Sequence, residues 1–235
     1  MHATNLSFAQ PMRNIIASIA VVLLAGAPSV LGQGGINFNN RVIGAGGVVA
    51  PIYGPSPSDS LLRLSGNAAT NGGSIDYTGL PLLSGTGFTA ELWAENPATP
   101  GAFVSLFDVD ARNVGAKVAF RTQATLQGFI NPVNPVPIVP WVTSNQDPPV
   151  RFQVRVWDNH DGVITTWAQA LAGSRASGYS DIFSTHLVVP PGTPANLTGL
   201  TSFNIQGVIV PEPSAVLLGA LAGVALLWRR RKVSR

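Results

Sequence analysis

Strict alternation over residues 150–157 constrains this chain more than any other feature. Val150, Phe152, Val154 and Val156 are apolar, while Arg151, Gln153 and Arg155 between them are polar. Successive side chains of an extended chain point to opposite faces, so this is a half-buried strand with its even face on the core. Residues 87–95 repeat the pattern. Phe88, Ala90, Leu92 and Ala94 share one face, and Thr89, Glu91 and Glu95 share the other with Trp93. Residues 116–130 set Val118, Phe120, Ala124, Leu126 and Ile130 against Lys117, Arg121, Gln123 and Gln127, long enough for two strands with a bend near Gly128. Further strands are expected at 36–43, 103–107, 138–142, 182–189 and 201–205.

Turn formers separate these segments. The 235 residues include 25 glycines and 19 prolines, and only 11% of the chain is charged. Clusters such as Gly54-Pro55-Ser56-Pro57-Ser58 and Asn131-Pro132-Val133-Asn134-Pro135 break the chain into short strands. The expected fold class is therefore all-β, an antiparallel β-sandwich of two facing sheets over residues 33–209. One helical interruption is expected, with Thr165 and Thr166 capping a turn over Trp167, Ala168 and Leu171 that stops at Gly173. No repeat of fixed period is apparent.

The formal net charge of +3 is misleading about partners. Arg229, Arg230, Arg231, Lys232 and Arg235 crowd the last seven residues, and Arg13 lies near the start. Between Gln33 and Val210 there are eight basic and ten acidic residues. That body lacks the basic stripe that phosphate recognition needs, so nucleic acid is not an expected partner. The absence of cysteine excludes disulfides and thiolate chemistry.

Both ends carry targeting features. Residues 1–32 read as a signal peptide: Arg13 supplies the positive start, and residues 15–25 form an apolar stretch too short to span a bilayer. Val30-Leu31-Gly32 favours cleavage before Gln33; a retained N-terminal anchor is the alternative. At the other end, residues 215–228 contain neither charge nor proline. Fourteen helical residues reach only about 21 Å. Yet Trp228 stands where an interfacial aromatic belongs, and Arg229, Arg230, Arg231 and Lys232 follow as a cytoplasmic-side anchor. Snorkelling and local thinning accommodate a short span, so a C-terminal transmembrane helix is expected, with the body on the far side. Val210, Pro211, Glu212, Pro213 and Ser214 precede it. Two prolines around one glutamate make a rigid, extended joint open to a processing enzyme, and they also suit a helix start.

Pro211-Glu212-Pro213-Ser214, the apolar helix and the arginine run together resemble a PEP-CTERM sorting signal, here over residues 210–235, with Val233-Ser234-Arg235 extending past the basic cluster. The resemblance implies export, handling by an exosortase-type membrane enzyme and removal of the tail, in a setting of extracellular polysaccharide. Ile36-Asn37-Phe38-Asn39-Asn40-Arg41, Val118-Ala119-Phe120-Arg121-Thr122, Val154-Arg155-Val156-Trp157-Asp158 and Asn196-Leu197-Thr198-Gly199-Leu200 are similar to a recurring ectodomain type in that family. It implies no catalytic residues.

Chemistry-bearing residues are sparse. Asp158-Asn159-His160-Asp161-Gly162 suggests an ion loop or a base, but Val163 breaks the calcium-loop series and a turn leaving the strand is the plainer reading. Asp108 and Asp110 read as a loop edge or part of an ion site, and His186 as a structural or edge histidine. No nucleophile elbow, zinc-binding helix or phosphate loop occurs. Neither catalytic nor metal-ligating residues, nor a cofactor, are therefore assigned. The leading expectation is a non-catalytic surface or matrix protein. A carbohydrate-binding module, with Trp93, Trp141 or Trp157 as aromatic platforms, and a hydrolase with an unrecognised site are the alternatives; Trp157 and Trp167 read first as core or rim residues.

Overall fold

The computed structural model describes residues 33–207, apart from 111, 114 and 135. Among them, thirteen strands follow in order: β1 (Gly34–Asn37), β2 (Arg41–Val42), β3 (Val48–Val49), β4 (Ile52–Tyr53), β5 (Phe88–Glu95), β6 (Phe103–Ser105), β7 (Lys117–Ala119), β8 (Ile138–Val139), β9 (Val150–Asp158), β10 (Ser177–Tyr179), β11 (Phe183–Thr185), β12 (Ala195–Asn196) and β13 (Phe203–Asn204). An all-β fold fits this content.

The two alternating segments are the central pair. β5 and β9 run antiparallel, from Phe88 opposite Asp158 to Ala94 opposite Phe152. Each outer edge of the pair is shared by two three-residue strands. β10 and β11 pair with the two halves of β9, and β7 and β6 with the two halves of β5. The even side chains Ala90, Leu92, Phe152, Val154 and Val156 are buried in one cluster with Ile36, Ile52 and Phe203. Those last three come from small sheets, β12–β1–β8 and β13–β4, while β2 pairs with β3. Burying a side chain such as Phe152 contributes roughly 1.5–3 kcal/mol, so the even face carries much of the hydrophobic stabilisation.

Several elements differ from the sequence expectation. The pairings β1–β12 and β4–β13 are parallel, not antiparallel. Segment 36–43 is interrupted because Asn40 turns inward, donating to the Ala50 and Gly128 carbonyls and accepting from Ile130 N. Segment 103–107 becomes a helix at Leu106–Val109, because Ser105 Oγ accepts from Asp108 N and caps it. In 116–130, β7 gives way to a 3-10 turn at Ala124–Leu126, and the chain returns through a bridge between Phe120 and Ile130. The capped helix is present at Trp167–Ala172, with Thr166 and Gln169 forming a capping box and Gly173 as C-cap. It buries Ala170, whereas Leu171 faces outward. Among the described residues no helix is long and apolar enough to cross a membrane. The expected signal helix (15–25) and transmembrane helix (215–228) lie outside them.

Candidate functional site

The odd face of the central pair departs most from an ordinary solvated surface. Cross-strand register places Lys117, Glu91, Arg155 and Tyr179 in one row over β7, β5, β9 and β10. Glu91 is only 2% exposed. Its carboxylate accepts from Trp93 Nε1 at 2.8 Å and Ser105 Oγ at 2.8 Å, and lies 3.1 Å from Lys117 Nζ. A buried carboxylate is tolerable only with such partners.

The chain after β9 folds back over one end of this face. Trp157 Nε1 donates to the Ile164 carbonyl and Lys117 Nζ to the Thr165 carbonyl. The helix Trp167–Ala172 then sets Trp167 edge-on against Trp157 at 6.2 Å and against Tyr179 at 6.5 Å. Trp157 is consequently fully buried, and Trp167 is a rim residue.

Arg155 occupies the centre. Its guanidinium lies 3.8 Å over the Trp93 ring and 5.6 Å from that of Trp167, a distance at which cation–π attraction operates. Its Nε donates to Gln153 Oε1. Burial pulls the Arg155 guanidinium below its ordinary value, with Glu91 and Tyr179 acting in the opposite direction. Beyond it Tyr179 is 41% exposed, and Arg63 lies 4.7 Å over the Tyr179 ring. The face is thus a partly exposed stack of aromatic rings and guanidinium groups.

A second feature adjoins it. Arg151, paired with Glu95 at 2.7 Å, borders an open cleft of about 480 Å³ walled by Trp141, Pro97, Pro100 and Pro149. The buried Trp141 Nε1 has no hydrogen-bond partner among the described residues.

The residues singled out from sequence mostly serve structure. Asp158-Asn159-His160-Asp161-Gly162 is a turn, with φ of 49° at His160 and 54° at Asp161. Asp158 Oδ1 accepts from His160 N, and Asn159 ties the turn to the Thr86 carbonyl and Thr89 Oγ1. His160 and His186 are both exposed. Asp108 belongs to the short helix, and Asp110 is buried. Burial would raise the Asp110 carboxyl, but hydrogen bonds from the Arg112 side chain and from the Arg112 and Ile138 backbone hold it below its usual value. Among the described residues no group of three or more His, Asp or Glu gathers as a metal site would require. Sequence reasoning missed Arg155 as a stacked cation. Its signal was Trp93 and Arg155 on the polar faces of two alternating strands, legible only once the register was known.

Val210, Pro211, Glu212, Pro213 and Ser214, and Trp228, Arg229, Arg230, Arg231 and Lys232, lie outside the described residues. The chain carries a PEP-CTERM protein-sorting motif, matched over residues 210–232. The motif marks an exported protein and assigns it no catalytic activity. No curated protein and no solved structure matches the chain.

Proposed function

We propose that this chain is a non-catalytic surface or matrix protein, exported, held briefly at the membrane and then processed by an exosortase-type enzyme. The sorting motif at 210–232 carries the reading. In it, residues 1–32 are removed as a signal peptide, 33–209 form a sandwich-like ectodomain, and 210–235 are the tag. Val210, Pro211, Glu212, Pro213 and Ser214 present the extended segment to the processing enzyme. Trp228, Arg229, Arg230, Arg231 and Lys232 fix the cytoplasmic end of the helix over 215–228.

The disposition of acids supports a non-catalytic body. Glu91 and Glu95 share a face of β5 but are four residues apart, about 13 Å along a strand. Glycoside hydrolysis needs paired carboxyl groups at about 5–9.5 Å. Both are also engaged with cations, Lys117 and Arg151.

Intact mass spectrometry of the protein from membrane and medium fractions of its host tests the reading. A released species cut near residues 211–213 is expected. A single membrane-bound species still ending in Arg235 would reduce the tag to a plain anchor.

A second reading, carbohydrate binding by the body, is favoured by the partly exposed stack of Trp93, Arg155, Trp167 and Tyr179. Flat rings beside hydrogen-bond donors suit the apolar face and hydroxyl edge of a sugar.

A further inference from the structure

The basic residues of the odd face differ in what neutralises them. Arg63 pairs with Asp181, Lys117 with Glu91, Arg151 with Glu95, and Arg175 with Asp158 at 3.9 Å. Arg155 alone on this face has no carboxylate within 4.0 Å among the described residues. It is half-buried, and Nε is the only nitrogen of its guanidinium with a hydrogen-bond partner among them. Removing a guanidinium from water without an anion is unfavourable. Stacking on Trp93 offsets part of that, but leaves the planar fork of terminal N–H groups unused.

The geometry points to a binding site for an acidic saccharide, whose ring carboxylate is held by the Arg155 fork while its apolar face lies against the exposed Tyr179 ring, with Trp167 standing edge-on beside it. This rests on the carbohydrate-binding reading and names the ligand class. A carboxylate has the planar two-oxygen shape that a guanidinium grips in bidentate fashion. Tyr179 stands opposite Arg155 in the register and is the exposed ring of the group. Arg63, 4.7 Å over that ring, is tied to Asp181 only loosely, at 3.4 Å with both side chains well exposed. It supplies a second cation for the next charge along a polymer. Glu91, the one carboxylate in the row, is already held by three donors and does not compete for Arg155. Binding here is therefore salt-sensitive, because part of the recognition is between incompletely buried charges.

Affinity electrophoresis of the full chain through gels containing polygalacturonate, a neutral glucan or poly-glutamate tests the site. Retardation by polygalacturonate alone is expected. Arg155→Gln should weaken it about tenfold, and Arg155→Lys, which keeps the charge without the fork, by an intermediate factor. Tyr179→Ala and Arg63→Gln alter exposed side chains and should each weaken retardation severalfold with an unchanged near-ultraviolet circular dichroism spectrum. They decide the matter if Arg155→Gln disturbs folding. Equal retardation by neutral glucan, insensitive to Arg155 and Tyr179, would overturn the acidic-ligand assignment while sparing carbohydrate binding. Retardation by no saccharide would end both readings. Retardation by poly-glutamate alone would replace the sugar with an acidic peptide.

Discussion

Glu91→Gln is the substitution that most directly tests how the odd face is held. The replacement keeps the side-chain shape and one acceptor oxygen, but loses the charge and turns a donor toward existing donors. Glu91 accepts from Trp93 Nε1 and Ser105 Oγ and faces Lys117 Nζ at 3.1 Å. At that separation, an effective dielectric constant of 20 gives an attraction of about 5 kcal/mol. Relief of the desolvated carboxylate cancels a large part of it, and Lys117 retains the Thr165 carbonyl and the Phe107 ring at 4.4 Å. One hydrogen bond to a charged acceptor is also lost. The net destabilisation should be about 2 kcal/mol. For a chain of this size that lowers Tm by about 4–8 °C. Thermal unfolding followed by far-ultraviolet circular dichroism reads it directly. A double-mutant cycle with Lys117→Met should return a coupling above about 0.5 kcal/mol. A Tm unchanged within error, with zero coupling, would show that the buried pair contributes nothing and that the reasoning about this face is wrong.

Other perturbations test separate parts of the fold. Gly128→Ala places a Cβ 2.7 Å from Leu82 Cδ2 and 3.0 Å from Pro51 Cβ at a residue with φ of +80°; a loss of about 2–4 kcal/mol in denaturant unfolding is expected. Thr166→Ala removes the capping box of the helix Trp167–Ala172 and should cost about 1 kcal/mol, with tryptophan fluorescence showing water reaching the Trp157 environment. Asp110 has a depressed carboxyl pKa, so its contribution is complete above the unfolded value of about 4 and is lost as pH falls through the lower folded value. Wild-type Tm should therefore drop below about pH 4, and Asp110→Asn should flatten that drop while lowering Tm at neutral pH.

Much of the local structure was legible because it rests on short-range rules. The alternation around Phe152 and Leu92 identified β9 and β5 and the face each turns to the core. Thr166 and Gly173 bounded the one long helix turn through capping chemistry, and the tag showed itself through the order of proline, apolar run and arginines. Strands such as β4 and β12 are two residues long, too short to carry a period. Their pairing depends on partners far along the chain, as Ile36 opposite Ala195 shows.

The candidate site divides in the same way. Sequence alone set Glu91, Trp93 and Arg155 on polar faces of strands, where solvent exposure is the default, and read Trp157 as a core or rim residue. Only the tertiary structure brought the segment after β9 back over them, through Trp157 Nε1 on the Ile164 carbonyl and Lys117 Nζ on the Thr165 carbonyl. That closure sealed Trp157 and set Trp167 beside Arg155, while strand register gathered Trp93, Ser105 and Lys117 around Glu91 and left Arg155 stacked on Trp93 with no carboxylate within 4.0 Å among the described residues. Periodicity is a property of neighbours in sequence, and it therefore specified strand, helix and tag. Which faces meet water depends on what folds across them, and that is decided by contacts between segments that no local pattern records.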